Sequence, residues 1–125
     1  MNTSKKSGLF AACVVLGLPL IALGGAKLAG MAQFHESFRL LGLPAWFGYF
    51  IGACEVAGAI GLFVKPLRRP AAVGLGCIML GALYFHLRFT PIVQGIPALI
   101  FLVLASYIAT RPDMSIMPSR RSNPA

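Results

Sequence analysis

Three ionisable side chains lie in or beside long apolar stretches and could do chemistry: Lys27, Glu55 and His86. Glu55 stands in "FIGACEVAGAIGLFV" (50–64), where every other residue is apolar or small. An ionised carboxylate at the centre of a bilayer costs at least about 2.5 kcal/mol, so it must be paired, hydrated or protonated. A lysine can supply the opposite charge and an imidazole can exchange a proton. The residue types therefore predict charge pairing or proton handling.

Small residues accompany Glu55 along one helical face. The stripe has spacings of four, three and four residues and consists of Gly48, Gly52, Glu55 and Ala59. Small side chains let two membrane helices approach closely, so this face is predicted to pack against other helices and not against lipid. Gly24 and Lys27 share a similar stripe near the end of the first apolar run.

Two hypotheses follow for these polar groups. In the first, Lys27, Glu55 and His86 form a polar pocket, with Gln94 at its rim. Such a pocket would bind a polar headgroup, such as a quinone carbonyl, and exchange a proton with it. In the second, Glu55 belongs to a buried ion pair that fixes the register of the helices, and His86 is simply hydrogen-bonded at the membrane interface. Helix rise leaves roughly one to two turns between Glu55 and the other two groups, so contact needs long side chains, helix tilt or water.

Composition indicates that membrane helices position these groups. The chain of 125 residues is 58% hydrophobic and 11% charged, with a mean hydropathy of +0.80, whereas soluble domains carry about 25% charged residues. Four continuous apolar runs approach the ~20 residues that a spanning helix needs; they cover 8–28, 45–64, 71–87 and 91–109. The first run is longer than the ~7–15 apolar residues of a signal peptide, which predicts that it is retained.

The expected fold class is all-α: an antiparallel, up-down transmembrane four-helix bundle over residues 8–110. Residues 1–7 are expected to be a disordered tail and 111–125 a basic tail. The net charge of +8 is unevenly distributed. With the N-terminus inside, the inner side holds Lys5, Lys6, Lys65, Arg68, Arg69, Arg111, Arg120 and Arg121, against Lys27, Arg39 and Arg88 outside. This asymmetry predicts a multi-pass inner-membrane protein with both termini cytoplasmic. No aromatic interleaving or basic helix face supports nucleic-acid binding.

The connection between the first two runs, 29–44, has its own pattern. Met31, Phe34, Phe38 and Leu41 recur on one helical face, which predicts a short amphipathic helix lying on the outer face of the bundle. This helix is either a lid over a pocket entrance or a plain interfacial anchor. The residues that would form the lid or interface are Phe34, His35, Phe38 and Arg39.

The cysteines carry no recognisable chemistry. Cys13, Cys54 and Cys77 all lie inside predicted spanning segments, with no CxxC and no histidine at metal-ligand spacing. The sequence therefore predicts no metal site, and it shows no P-loop or nucleophile elbow from which a catalytic residue could be named.

Several stretches together resemble the DoxX-like family of small four-helix membrane proteins. They are "GGAKLAG" (24–30), "FRLLGLP" (38–44), "IGACEVAGAIGLF" (51–63), "MLGALYFH" (79–86) and "IPALIFLVLA" (96–105). The resemblance implies a bacterial inner-membrane bundle. Some relatives are similar to subunits of quinone-linked oxidoreductases or sit in redox-stress complexes, and distant animal relatives look like assembly chaperones for receptors.

The expected function is therefore that of an accessory or quinone-interacting subunit of a membrane redox system, with the bilayer and a redox protein as partners. Quinone is the one cofactor that this hypothesis includes. The alternative is a non-catalytic membrane adaptor or assembly chaperone that binds a partner protein through its helix faces. A small transporter is a third hypothesis, which would require the bundle to form a homo-oligomer. The residues do not decide whether the chain is an enzyme.

Overall fold

A computed structural model describes residues 3–111 of the chain, with side chains from Lys5 onward. Over these residues the fold is all-α, without strands. Its five helices are α1 (Thr3–Leu28), α2 (Ala32–Leu40), α3 (Ala45–Gly61), α4 (Arg68–Phe89) and α5 (Ile96–Thr110). Two short 3-10 helices, Lys65–Leu67 and Ile92–Gly95, precede α4 and α5.

The four long helices form the predicted antiparallel bundle. Helix α1 packs against α3 and α5, and α4 packs against α3 and α5. The start of α1, the end of α5 and the α3–α4 connection meet at one end of the bundle, which we call the terminal end. Helix α2 and the α4–α5 connection lie at the opposite end, which we call the α2 end.

Three helical segments, Lys5–Leu28, Lys65–Phe89 and Ile92–Thr110, are long and apolar enough to cross a membrane, the last two together with their 3-10 helices. The bent pair α2–α3 supplies a fourth span if it is counted as one. Helix α3 alone has 17 residues, or about 25 Å at 1.5 Å per residue. It turns by 118° from α2, so α2 lies across the bundle end. Large apolar side chains cover the outside of the bundle, among them Leu18, Ile60, Leu80 and Val103. Such an exterior suits acyl chains and makes the chain a membrane protein.

The helix ends follow local sequence. Gly30 and Gly42 adopt positive φ angles of 78° and 76° in the turns that flank α2, a conformation that costs glycine little. Pro97 fits in the first turn of α5, because the backbone N–H that proline lacks would have no acceptor within the helix at that position. Helix α1 begins at Thr3, so residues 3–7 continue the helix where a disordered tail was expected. Lysine favours helices, and Lys5 and Lys6 extend the first turns beyond the apolar run. Of the predicted tail 111–125, residues 112–125 lie outside the described residues.

The apolar core occupies the half of the bundle nearest the terminal end. Its fully buried members come from all four long helices and the residue after α3, and include Leu9, Cys13, Leu16, Leu20, Ala59, Leu62, Leu75 and Ile108. The other half holds the polar groups, among them Lys27, Glu55 and His86. Stability and the candidate site are thus concentrated at different levels of the same bundle.

Candidate functional site

Two glycines bring α1 and α3 into backbone contact at the level of the site. A Cβ built on Gly24 would lie 2.7 Å from the Gly52 carbonyl oxygen, and one on Gly52 would lie 2.8 Å from the Gly24 carbonyl oxygen. No real Cβ approaches backbone this closely, so the crossing requires glycine on both sides. This is the close approach that small residues permit in membrane helices.

The crossing joins Lys27 and Glu55 directly. Lys27 Nζ lies 2.9 Å from Glu55 Oε1, and the residue Glu55 is only 2% exposed. The Lys27 side chain keeps 13% of its surface exposed. The sequence predicts a separation of roughly one to two helical turns, along the bundle axis, between the Lys27 and Glu55 positions. The long lysine side chain and the short interhelical distance close this gap. Glu55 therefore faces α1, as the stripe of small residues predicts.

One carboxylate oxygen of Glu55 is left over. Glu55 Oε2 is buried and has no hydrogen-bond partner among the residues that the structure describes. Buried polar atoms are nearly always satisfied, so an unsatisfied one in a native structure calls for an explanation. The neighbouring Lys27 side chain is partly exposed, so Glu55 Oε2 could accept a hydrogen bond from the donor group of a bound molecule.

Helix α2 covers this site from the end of the bundle. The Phe34 ring lies 5.8 Å from Lys27 Nζ, at cation–π distance. His35 donates through Nε2 to the Lys27 carbonyl oxygen over 2.8 Å, and its ring packs on Tyr49 with centroids 4.5 Å apart. Gly48 leaves room for the imidazole, because a Cβ there would collide with His35.

The rest of α2 holds on loosely. Phe38 packs edge-on against Phe47 with ring centroids 5.5 Å apart, and none of the nine residues of α2 is fully buried. Arg39 pairs with Glu36 on the exposed face, and its hydrogen bonds lower the pKa of the Glu36 carboxyl. This exposed pair adds little stability. Helix α2 is thus held mainly by His35 and two half-buried phenylalanines.

His86 and Gln94, the other predicted pocket residues, lie apart from the ion pair. The His86 imidazole hydrogen-bonds the Thr90 hydroxyl over 2.9 Å at the end of α4. It packs on the 3-10 helix, where a Cβ on Gly95 would lie 3.2 Å from His86 Cβ. Gln94 is exposed on that same 3-10 helix. Within residues 3–111, no hydrogen bond or ion pair links either side chain to Lys27 or Glu55.

Ala59, the last member of the predicted packing stripe, belongs to the core. It is fully buried one turn below Glu55, where a Cβ on Gly17 of α1 would lie 3.5 Å from the Ala59 carbonyl oxygen. The stripe of small residues on α3 therefore contacts α2 at Gly48, through His35, and contacts α1 further along, opposite Gly24 and Gly17.

Sequence reasoning missed two residues. Arg68, counted only as a basic loop residue, is 2% exposed, and its Nε donates to the Leu62 carbonyl oxygen over 2.7 Å. It therefore satisfies the carbonyl end of α3, a favourable position for a cation. The short connection before α4 is the signal that could have placed it there. Tyr49 was also missed. It follows Gly48 on α3, and its ring packs on the imidazole of His35 in α2.

A groove of about 410 Å³ lies elsewhere, between α1 and α5. It is lined by Gly8, Ala11, Ala12, Val15, Val103, Leu104 and Tyr107. None of these residues touches the Lys27–Glu55 pair, so this groove is not an entrance to the ion pair.

Comparison with known proteins agrees with the family that the sequence resembles. Residues 11–108 match the DoxX-like family. A relative from Bacillus subtilis (strain 168), named "Putative oxidoreductase CatD", is 29% identical over 83 residues, which is 66% of this chain and 62% of that protein. The chain thus spans less than two thirds of the length of this relative. No solved structure matches the present chain. The match over most of the four-helix bundle shows that the chain belongs to the DoxX-like family.

Proposed function

We propose that this chain is an accessory subunit of a membrane redox system and that its Lys27–Glu55 pair binds the hydroxyl head of a quinol beneath α2. The observation that carries the proposal is the buried Glu55 Oε2, which lacks a hydrogen-bond partner among the described residues. The name of the Bacillus subtilis relative includes the word oxidoreductase, which supports a redox setting.

The chemistry of the pair favours the reduced carrier. A carboxylate is an acceptor only, so Glu55 Oε2 can receive a hydroxyl donor but not a carbonyl. Lys27 has three N–H donors, so after pairing with Glu55 Oε1 it still has donors for the ligand oxygen. On two-electron oxidation of the quinol, Glu55 would take one hydroxyl proton and water at the open face of the site the other, while both electrons pass to a redox centre of the partner protein.

Access to the pair requires movement of α2. Glu55 is almost fully buried, and Phe34 lies over Lys27. Because α2 contains no fully buried residue, moving it away exposes little core. We therefore propose α2 as the lid of this site, with the site opening at the periplasmic face of an inner-membrane protein whose termini are cytoplasmic.

Binding of a short-tailed hydroquinone to the purified protein tests this function. The wild type should bind the hydroquinone at least tenfold more tightly than its dimethyl ether, which has lost both hydroxyl donors. Glu55→Gln should lose about tenfold in affinity, because a hydrogen bond to a charged group contributes about 1.5 kcal/mol or more. Glu36→Gln, the same change at an exposed carboxylate, is the matched control and should bind normally.

Equal affinity for the hydroquinone and its ether, or unchanged binding by Glu55→Gln, would contradict the quinol site. Isothermal calorimetry in detergent is a suitable measurement. Unfolding curves of each variant should accompany it, so that loss of binding is distinguished from loss of fold.

A non-catalytic adaptor is the second candidate, and close packing around Glu55 favours it. The Gly24–Gly52 contact leaves little space beside the pair. In an adaptor, Lys27–Glu55 would only fix the register of α1 against α3. Two results would favour this function. The wild type would bind no hydroquinone, and a stably folded Lys27→Met/Glu55→Leu variant would still support the cellular process in which the protein acts.

A further inference from the structure

The groove between α1 and α5 has apolar walls and a small-residue floor. On α1 it is bounded by Gly8, Ala11, Ala12 and Val15, which follow helical spacing along one face, and on α5 by Val103, Leu104 and Tyr107. Its volume is about 410 Å³, and it is open along the outside of the bundle rather than enclosed. Because small side chains on α1 leave the space, the groove is a property of the sequence of that helix face.

The groove becomes polar and basic at the terminal end of the bundle. The Tyr107 hydroxyl lies there, 3.5 Å from where a Cβ on Gly8 would be. The Arg111 guanidinium stacks on the Tyr107 ring with its Cζ 4.4 Å from the centroid. Lys5 is exposed one helical turn before Gly8 and four residues before the buried Leu9. Helical spacing thus places Lys5 on the α1 face that lines the groove, and the Arg111–Tyr107 contact lies at the same end of the bundle.

We propose that this groove binds one acidic phospholipid. Its acyl chain would lie along the groove, and its phosphate would contact Lys5, Arg111 and the Tyr107 hydroxyl. Charge complementarity supports this occupant, since basic pockets between membrane helices bind anionic headgroups. The site is separate from the Lys27–Glu55 pair and does not depend on the quinol proposal.

A second copy of the chain fits this groove less well. Copies inserted in one membrane share one orientation, so a self-complementary contact across the groove would bring both basic ends together. Lys5 and Arg111 of each copy would then face like charges. An acidic lipid instead supplies the opposite charge at the same depth.

Native mass spectrometry of the delipidated full-length protein can measure this binding. Phosphatidylglycerol and phosphatidylcholine with identical acyl chains would be titrated in parallel. We expect at least tenfold tighter binding of the first phosphatidylglycerol molecule than of phosphatidylcholine. Each basic residue near the membrane surface contributes about fivefold to the binding of an acidic lipid, so Lys5→Gln/Arg111→Gln should remove most of this preference.

The matched control is Lys6→Gln/Lys65→Gln, which removes the same charge from exposed positions away from the groove. Lys6 points to the opposite side of α1, and Lys65 lies in the 3-10 helix before α4. This control should keep the preference for phosphatidylglycerol. Ala11→Phe, a change at an exposed position on the groove wall, keeps both cations but fills the apolar space and should also abolish the tight binding.

Equal binding of the two lipids by the wild type would overturn the proposal, as would equal losses in the control and the test variant. Formation of a dimer that Ala11→Phe abolishes, with no lipid preference, would assign the groove to a second copy instead.

Discussion

Lys27 and Glu55 depend on each other at the scale of single residues. Taking either charge out of water is costly, and a partner at 2.9 Å offsets much of that cost. Removing one member of a buried pair leaves the other uncompensated, whereas removing both often costs little. The pair thus accounts for the presence of an acidic residue in an apolar helix, and its unused Oε2 accounts for the expectation of a ligand.

A double-mutant cycle measures this dependence. Glu55→Leu should lower the free energy of unfolding by about 3 kcal/mol, because it leaves Lys27 without a counter-charge, and Lys27→Met should cost a similar amount by leaving Glu55 unpaired. Lys27→Met/Glu55→Leu should recover most of that loss. Unfolding would be followed by circular dichroism in detergent micelles, with Glu36→Gln as an exposed control that changes stability by less than about 0.5 kcal/mol. Simple additivity of the two single changes would show that the groups do not interact.

At the scale of elements, two contacts decide the geometry of the site. The first is the α1–α3 crossing at Gly24 and Gly52, where the helices touch through their backbones. The second is the α2 contact, in which His35 enters the space above Gly48 and hydrogen-bonds the end of α1. The first contact forms the ion pair and the second covers it. Each uses a glycine whose replacement has a specific consequence.

Adjacent glycines in α1 give a matched test of the crossing. Gly24→Ala should destabilise the fold by about 1–3 kcal/mol, because its methyl group would meet the Gly52 carbonyl and force the helices apart. Gly25→Ala has open space around its Cβ and should be neutral or stabilising by up to about 1 kcal/mol, since alanine favours helix. The thermal midpoints of both variants in the same detergent provide the comparison. Similar midpoints would contradict the close crossing.

The α2 contact has its own test. Gly48→Ala should displace the His35 ring and loosen α2. Hydrogen exchange of residues 32–40 should then rise several-fold, while exchange in α1, α4 and α5 stays unchanged. Gly25→Ala serves again as the control. Unaltered exchange over 32–40 would show that His35 does not hold α2 in place.

In the whole molecule, the apolar core and the candidate site lie at different levels along the bundle axis. The apolar core lies toward the terminal end, where Arg68 also closes the end of α3. The ion pair lies toward the α2 end. Under the lid proposal, this division would let α2 move without disturbing the core. It also places the proposed lipid groove and the proposed quinol site at opposite ends.

Topology is a prediction at this scale. In a cysteine-free background, Glu36→Cys on the exposed face of α2 should react with a membrane-impermeant maleimide added to intact cells. Lys65→Cys, at the terminal end, should react only after the cells are opened. The charge asymmetry of the chain is the reason for this orientation. The reverse labelling pattern would contradict it.

Much of the fold followed from the sequence. Continuous apolar runs predicted four helices, and the phenylalanine spacing predicted α2, because both patterns are local consequences of burying apolar surface. The stripe of small residues also predicted that Glu55 faces another helix. Helix ends were less predictable: α1 begins before its apolar run, and Ile92–Gly95, at the start of the last run, forms a separate 3-10 helix. The ends of helices depend on capping and on turns, and the pattern of apolar residues does not encode either.

Only the tertiary structure decided which polar groups meet. Lys27, Glu55 and His86 were equally plausible partners by depth, but the Gly24–Gly52 crossing joins the first two and the local bond to Thr90 holds the third apart. Interhelical distance and helix rotation set these contacts, and both depend on packing between segments far apart in sequence. The residue types thus determined that a charge had to be paired inside the bundle, and the packing of α1 on α3 determined with which partner.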